Sequence, residues 1–480
     1  MQKSEYIRPE NRKKILLLGD DLRHPSGVGV MSREIVLGTA HRFNWVQIGG
    51  LLNHPEVGKI IDISDSVNEE TGLSDASVKI IPSNGYGNIE LLRQVLKLEN
   101  PDAIMIFTDP RYWTWLFNAE REIRAKIPIM YLNIWDDLPY PMWNKPFYES
   151  CDGLFAISKQ TYNINIQVLG PEEAAKRVIR YIPHGIGKHY MPLEKNNEAL
   201  VEFEKKVWGN EKPEFVLLYN ARNLGRKCVP NIILAWRVFC DTIGKDQARK
   251  CQLLLHTDIV DGAGTDLAAV YRDLCDPDYV KVSFLPDRFD FDTMNLMYNA
   301  SDGVILTSSN EGWGLSITEA LKTGKMFIST VSGGMQDQMR FSNSTGDWID
   351  FSKDFPSNHN GTFKDHGCWC IPVFPSNKTI CGSPQTPYIY DDRADINDIA
   401  EAIEVLYKLG PEKREEYGRA GYEWAISDEA GFTGEHMAER VVEGIEATLE
   451  NFKRYPRSRY EIVKVEDRPS RRVDYDPVNY

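Results

Sequence analysis

Short apolar runs separated by longer amphipathic stretches recur along almost the whole chain, and this rhythm constrains the fold more than any other feature. A short apolar run fits a strand buried on both faces. A longer stretch with apolar residues three and four apart fits the helix that carries the chain back to a parallel neighbour. Repetition of the two predicts an α/β fold built from βαβ units.

The rhythm comes in two series. In the first, KKILLLG (13–19) reads as a buried strand, HPSGVG (24–29) as a glycine-rich loop and MSREIVLGTA (31–40) as a helix; NWVQIGG (44–50), DAIMIFT (102–108), PIMYLNIW (128–135) and GLFAIS (153–158) read as further strands. Helical spacing appears at 88–100 and around 113–124. After a polar stretch near 193–212 the second series begins, with strands expected at 215–221, 251–257, 280–285, 303–308 and 325–330 and helices at 230–243 and 294–301. Two such series predict two doubly wound, Rossmann-like domains facing across a cleft, with ligands beyond the carboxyl ends of the strands. The segment 340–395 breaks the pattern and is expected to be an irregular insertion. A last helix over 431–452 carries Met437, Val441, Ile445, Leu449 and Phe452 on one face, and the polar tail 453–480 is expected to be peripheral or packed on a partner.

Composition narrows the function classes. The 56 Lys and Arg against 70 Asp and Glu give a net charge of −14, which disfavours general binding to nucleic acid or to anionic membrane. A hydrophobic share of 42% with 26% charged residues describes a folded protein. Eight cysteines in 480 residues are too few for a disulfide scaffold and fit a reducing compartment. The polar start MQKSEYIRPENRKK leads into a short apolar run, so no targeting or transmembrane segment is expected and the protein is expected to be cytoplasmic. Glycosylation sequons at Asn343, Asn360 and Asn377 then read as ordinary loops. His366, Cys368, Cys370 and Cys381 do not match common zinc spacings, and no metal is expected there.

The chemistry concentrates in GVILTSSNEGWGLSITEALKTGKMFISTVSGG (303–334). A buried strand enters a loop holding Glu311, Gly312 and Gly314, and a helix follows with Glu319. Such a turn aims backbone amides and a helix N-terminus at an anion, while two carboxylates, one in the loop and one in the helix, can accept hydrogen bonds from sugar hydroxyls. From spacing alone, a strand-loop-helix with two surface glutamates serves as well.

NEGWGLSITEA (310–320) resembles the E-x(7)-E signature of the family-4 retaining glycosyltransferases of the GT-B fold, the group-1 type that includes glycogen-synthase-like enzymes and mannosyltransferases. LLYNARNLGRKCVPNIILAW (217–236) resembles that family's "GR-L-x-x-x-KG" segment, with Arg222 and Lys227 at the expected separation but Ala221 and Cys228 in place of glycines. IPHGIGKHYMP (182–192), VSFLPDRFDFDTMNLMYNASDGVILTS (282–308) and the loop at Ser26–Gly29 are weaker matches in the same order. The resemblance implies two domains, over 13–192 and 196–425, with the last helix crossing back to the first. It implies a nucleotide-diphosphate sugar as co-substrate, with UDP or GDP the expected nucleotides, and no obligatory metal or other cofactor.

It further implies roles. Arg222 and Lys227 would hold the diphosphate, with the amides of Gly314, Leu315 and Ser316; Glu311 would contact the transferred sugar and Glu319 the ribose. Gly27 and Gly29 would lie near donor phosphate, and Phe284 and Leu285 near the base. Family members often carry a His after a first-domain strand; here PIMYLNIWDDLPYP (128–141) offers Asp136 first and Asp137 second, or else a turn capped by both. His184 and His24 read as structural. Two other readings stay open at this point: transfer to hydroxymethylated bases in DNA, for which Arg222, Arg226 and Lys227 would supply a basic cleft, and a non-catalytic nucleotide-sugar-binding protein of the same fold.

Overall fold

The structure is a computed structural model that describes residues 5–51, 53–349 and 361–454. The first apolar series builds an eight-stranded sheet: β1 (Lys13–Asp20), β2 (Phe43–Leu51), β3 (Ile61–Asp62), β4 (Val78–Asn84), β5 (Ala103–Phe107), β6 (Ile129–Asn133), β7 (Gly153–Ala156) and β8 (Val178–Tyr181). Their order is β3-β4-β2-β1-β5-β6-β7-β8, parallel except for β3. The second series builds β9 (Phe215–Asn220), β10 (Cys251–His256), β11 (Val282–Phe284), β12 (Gly303–Leu306), β13 (Phe327–Thr330) and β14 (Cys370–Val373). These make an all-parallel sheet in the order β11-β10-β9-β12-β13-β14.

Burial explains the strands. Ile15, Leu16, Leu17 and Leu18 are buried on both faces of β1, and Phe215, Val216, Leu217, Leu218 and Tyr219 likewise in β9. Each sheet reverses its winding beside such a strand, β1 between β2 and β5, and β9 between β10 and β12. The crevice at a winding reversal is where ligands of such sheets bind. It falls at Asp20–Gly29 in the first lobe and at the loops after β9 and β12 in the second.

Sequence expectation and structure part in three places. The stretch 113–124 is not one helix but two short ones, Thr114–Asn118 and Glu120–Arg124, interrupted at Ala119. The segment 340–395 is not irregular throughout: besides β14 it holds an antiparallel hairpin of β15 (Asn377–Ser383) and β16 (Thr386–Arg393), although 350–360, with Asn360, lies outside the described residues. β4 and β8 carry no clear period in the sequence, yet both extend the first sheet.

The last helix, Gly434–Asn451, lies on the first lobe. A Cβ at Gly38 would stand 2.6 Å from Ala438, and one at Gly153 2.6 Å from Thr448, so small residues let this helix approach the helix Gly27–Thr39 and strand β7. Of the tail, 455–480 lies outside the described residues. Among the described residues no helix is long and apolar enough to cross a membrane.

Candidate active site

Glu311 sits where the loops of both lobes meet. Its side chain is 7% exposed, and its carboxylate is paired with Lys227 and, at 2.9 Å, with Arg226. Burial opposes the charge, but Arg226 and Lys227, the latter also by a hydrogen bond, outweigh it and hold the carboxyl at about 2. Glu311 is therefore ionised. Burial pulls the Lys227 ammonium below its ordinary range, against the attraction of Glu311.

The backbone fixes this arrangement. Arg226 O accepts from Ser309 N at 2.8 Å and Arg226 Nη1 donates to Asn310 O at 2.7 Å, so the loops after β9 and β12 are tied side by side. Gly334 N donates to Glu311 O at 3.0 Å. Gly333 has φ +51°, and a Cβ there would stand 2.0 Å from Glu311 O. Only glycine lets the turn after β13 support the Glu311 loop so closely. Cys228, where the related motif has glycine, also takes a left-handed conformation at φ 52°; the loop keeps the shape a glycine would give it.

The first lobe contributes Asp136 and Asp137, which follow β6. A Cβ on Gly312 would stand 2.8 Å from Ile134 O, so the Glu311 loop abuts this segment. Asp136 is pushed up by burial, against the pull of Arg226, and Glu311 adds to the rise. Asp137 is pushed well up by burial and by its neighbour Asp136. Burial and the nearness of the two carboxyls thus disfavour ionising both beside Arg226. Trp135 Nε1 donates to Asp137 O at 2.8 Å and Gln160 Nε2 to Asp136 O at 2.6 Å, which sets the backbone of the pair.

Glu319 lies in the helix Leu315–Lys322, whose N-cap Gly314 has φ 85°. Its half-buried carboxylate receives a hydrogen bond from Asn220 Nδ2 at 3.1 Å and another from the Tyr298 hydroxyl. It borders a small pocket with Glu34, Tyr190, Phe291 and Leu315 that spans both lobes. Ser316 is buried in the first turn of this helix, where backbone N–H groups lack a carbonyl one turn back. Gly27 faces that end: a Cβ there would stand 3.4 Å from Leu315. Gly29 packs inside its loop, where a Cβ would stand 2.3 Å from His24 O.

The cationic pair differs from the expected one. Arg222 does not meet Glu311; its side chain is 63% exposed and pairs with Asp261 at 2.7 Å. Arg226 takes the place beside Lys227, because the short 3-10 turn Gly225–Lys227 carries both side chains toward the Glu311 loop. Phe284 and Leu285 lie at the end of the edge strand β11, two strands from β9, with Phe284 against Tyr271. His184 is buried beside Phe107 and Trp313, and burial alone holds it at about 3, so it is neutral. Cys370 lies 3.5 Å from His366, while Cys368 and Cys381 are exposed. Among the described residues no group of three or more His, Cys, Asp or Glu is arranged to hold a metal ion.

No family model and no curated protein matches the chain. Solved structures do. HepE of Anabaena, in complex with UDP-glucose, is 16% identical with a TM-score of 0.62, the match covering 90% of this chain and 99% of that one. The chain has the GT-B fold. Sucrose-phosphate synthase of Thermosynechococcus elongatus agrees over 92% of this chain and all of its own, with 15% identity and a TM-score of 0.63. A UDP-forming α,α-trehalose-phosphate synthase of Burkholderia xenovorans is 10% identical over 92% of this GT-B chain and 99% of its own, with a TM-score of 0.60. At these identities the likeness carries the fold alone.

Proposed function

We propose that the chain is a retaining glycosyltransferase that moves a sugar from a nucleotide diphosphate donor to an acceptor hydroxyl. The observation that carries this reading is the ionised, buried Glu311 held between Arg226 and Lys227 at the junction of the lobes. Two cations converge there, Arg226 and Lys227, in a protein that is acidic overall. A diphosphate can pair with both by charge-assisted hydrogen bonds. Arg222, exposed and five residues before Lys227, is within the same loop and adds a further cation when it leaves Asp261.

In this reading the amides of Gly314, Leu315 and Ser316 face the phosphates. Glu311 contacts the transferred sugar. Glu319 accepts ribose hydroxyls in the pocket shared with Tyr190. Asp136 lies on the opposite wall and orients the acceptor hydroxyl. Transfer with retention needs the acceptor to approach on the face from which the diphosphate leaves, so the acceptor proton passes to the departing phosphate oxygen as the new bond to the anomeric carbon forms. The protein's contribution is then position and charge rather than a covalent intermediate.

UDP-sugars are the first donors to test, because HepE is seen with UDP-glucose and the Burkholderia enzyme is UDP-forming. Arg222, Arg226 and Lys227 each have a carboxylate partner, which favours a small anionic ligand over a nucleic-acid backbone. The test is a screen of UDP-, GDP- and ADP-sugars by thermal shift, followed by product analysis with the donors that stabilise the protein. Stabilisation by one nucleotide class and an α-configured product from an α-configured donor are expected. Inverted product, or no donor bound, contradicts the reading.

A further inference from the structure

The hairpin β15–β16 belongs by sequence to the second lobe, yet it docks on the first. Its outer strand β15 is exposed along its whole length, whereas Asp392 in β16 is fully buried. At its tip Thr386 receives a hydrogen bond from Arg111, and Tyr388 packs edge-on against Trp143 with ring centroids 4.5 Å apart. Ile389 joins the hydrophobic cluster of the first lobe.

Tyr390 is the centre of this docking. Its N–H donates to Leu138 O at 2.6 Å, one residue after Asp137. Its carbonyl accepts from Asn310 Nδ2 at 2.8 Å, one residue before Glu311. A single peptide strand therefore links the acceptor-side loop of one lobe to the Glu311 loop of the other. Asp391 and Arg393 act electrostatically on Cys228, and Asp392 on Asp137, so β16 runs past the Lys227 loop as well.

We propose that this hairpin is the outer wall of the acceptor site and shields the activated sugar from water, a role that rests on the transferase reading above. Without such a wall, water replaces the acceptor. Its oxygen then bonds to the anomeric carbon as the bond to the diphosphate oxygen breaks, the electron pair leaves with the nucleoside diphosphate, and the water proton passes to solvent. Closed sites suppress that side reaction by excluding water.

The hairpin lends itself to removal, because its two ends are adjacent: Ser376 N donates to Arg393 O at 3.0 Å. Two variants of the full chain test the role. One joins Ser376 to Ala394 through two glycines. The other, Thr386→Ala with Tyr388→Ala, loosens only the tip and serves if the deletion does not fold. Hydrogen exchange reports docking without any ligand, and UDP release from UDP-glucose (or from the donor that the native chain binds best) in the absence of acceptor reports shielding. The expected result is faster exchange at 136–138 and 309–312 together with UDP release raised at least about fivefold and donor affinity nearly unchanged. Unchanged exchange shows the hairpin is not docked and overturns the proposal. Faster exchange with unchanged or slower hydrolysis overturns it too, since the wall then shields nothing. Failure of the native chain to bind any nucleotide sugar overturns the transferase reading and, with it, the shielding role, and is told apart by the binding measurement.

Discussion

Arg226 Nη1 stands 2.9 Å from Glu311 Oε1, on a carboxylate that Lys227 also holds. The three side chains form one charge cluster, and their exposures differ: Arg226 is 42% exposed, Lys227 only 11%. Replacing Lys227 by Met removes the buried donor and leaves Glu311 with one partner. Loss of a charge-assisted contact of about 1.5–3 kcal/mol predicts donor affinity weakened roughly 10–100-fold. Arg226→Met, at the more exposed position, is expected to weaken binding less. Isothermal titration with the best donor of the screen checks both.

Glu311→Gln keeps the shape and removes the charge. Turnover is expected to fall at least about tenfold with little change in fold, because under the proposed function the interaction lost is one made to the reacting sugar. Circular dichroism and initial rates on the same preparation separate a folding defect from a catalytic one. Unchanged turnover contradicts the role of Glu311.

The same carboxylate predicts a pH dependence of stability. Its folded value, about 2, lies below the ordinary value near 4.3, so the unfolded chain binds the proton first as pH falls. The stabilisation is present above the ordinary value and is lost as pH drops through the folded one. Melting curves of the native chain and Glu311→Gln should therefore differ most above pH ~5 and converge toward pH ~2.5. A difference independent of pH in that window contradicts the ion pair.

Gly333→Ala is a test of the turn rather than of the charge. The added Cβ would stand 2.0 Å from Glu311 O at a φ of +51°, so the loop must move. Such left-handed strain and overlap destabilise by about 1–3 kcal/mol and displace Glu311. Both a lower melting temperature and a turnover loss are expected; a loss of neither contradicts the support that this turn gives.

Much of this fold was legible because its strands are short apolar runs buried on both faces, as at Ile15–Leu18 and Phe215–Tyr219. What periodicity could not reveal was exposed or interrupted structure. β15 has no buried face to impose alternation, and Pro82 within β4 masks a strand lying toward one edge of its sheet. In the site, Glu311 and Lys227 stood out by motif, and they do meet. Arg226, which the sequence offers only within the alternative basic cleft, takes the place that motif spacing gives to Arg222, because side-chain direction is set by the 3-10 turn Gly225–Lys227. The Arg-Lys dipeptide entering a helix, next to the expected phosphate loop, was the signal available. Nothing in the sequence indicated that Tyr390 would bridge two loops more than 170 residues apart, Leu138 and Asn310, because backbone hydrogen bonds leave no mark on side-chain pattern.

The most direct measurement is donor binding by titration calorimetry to the native chain and to Lys227→Met, using the UDP- or GDP-sugar that best stabilises the protein. A saturable 1:1 isotherm for the native chain, weakened at least about tenfold in the variant, is the predicted result. Equal affinity in both, or no nucleotide sugar bound by the native chain, would contradict the account.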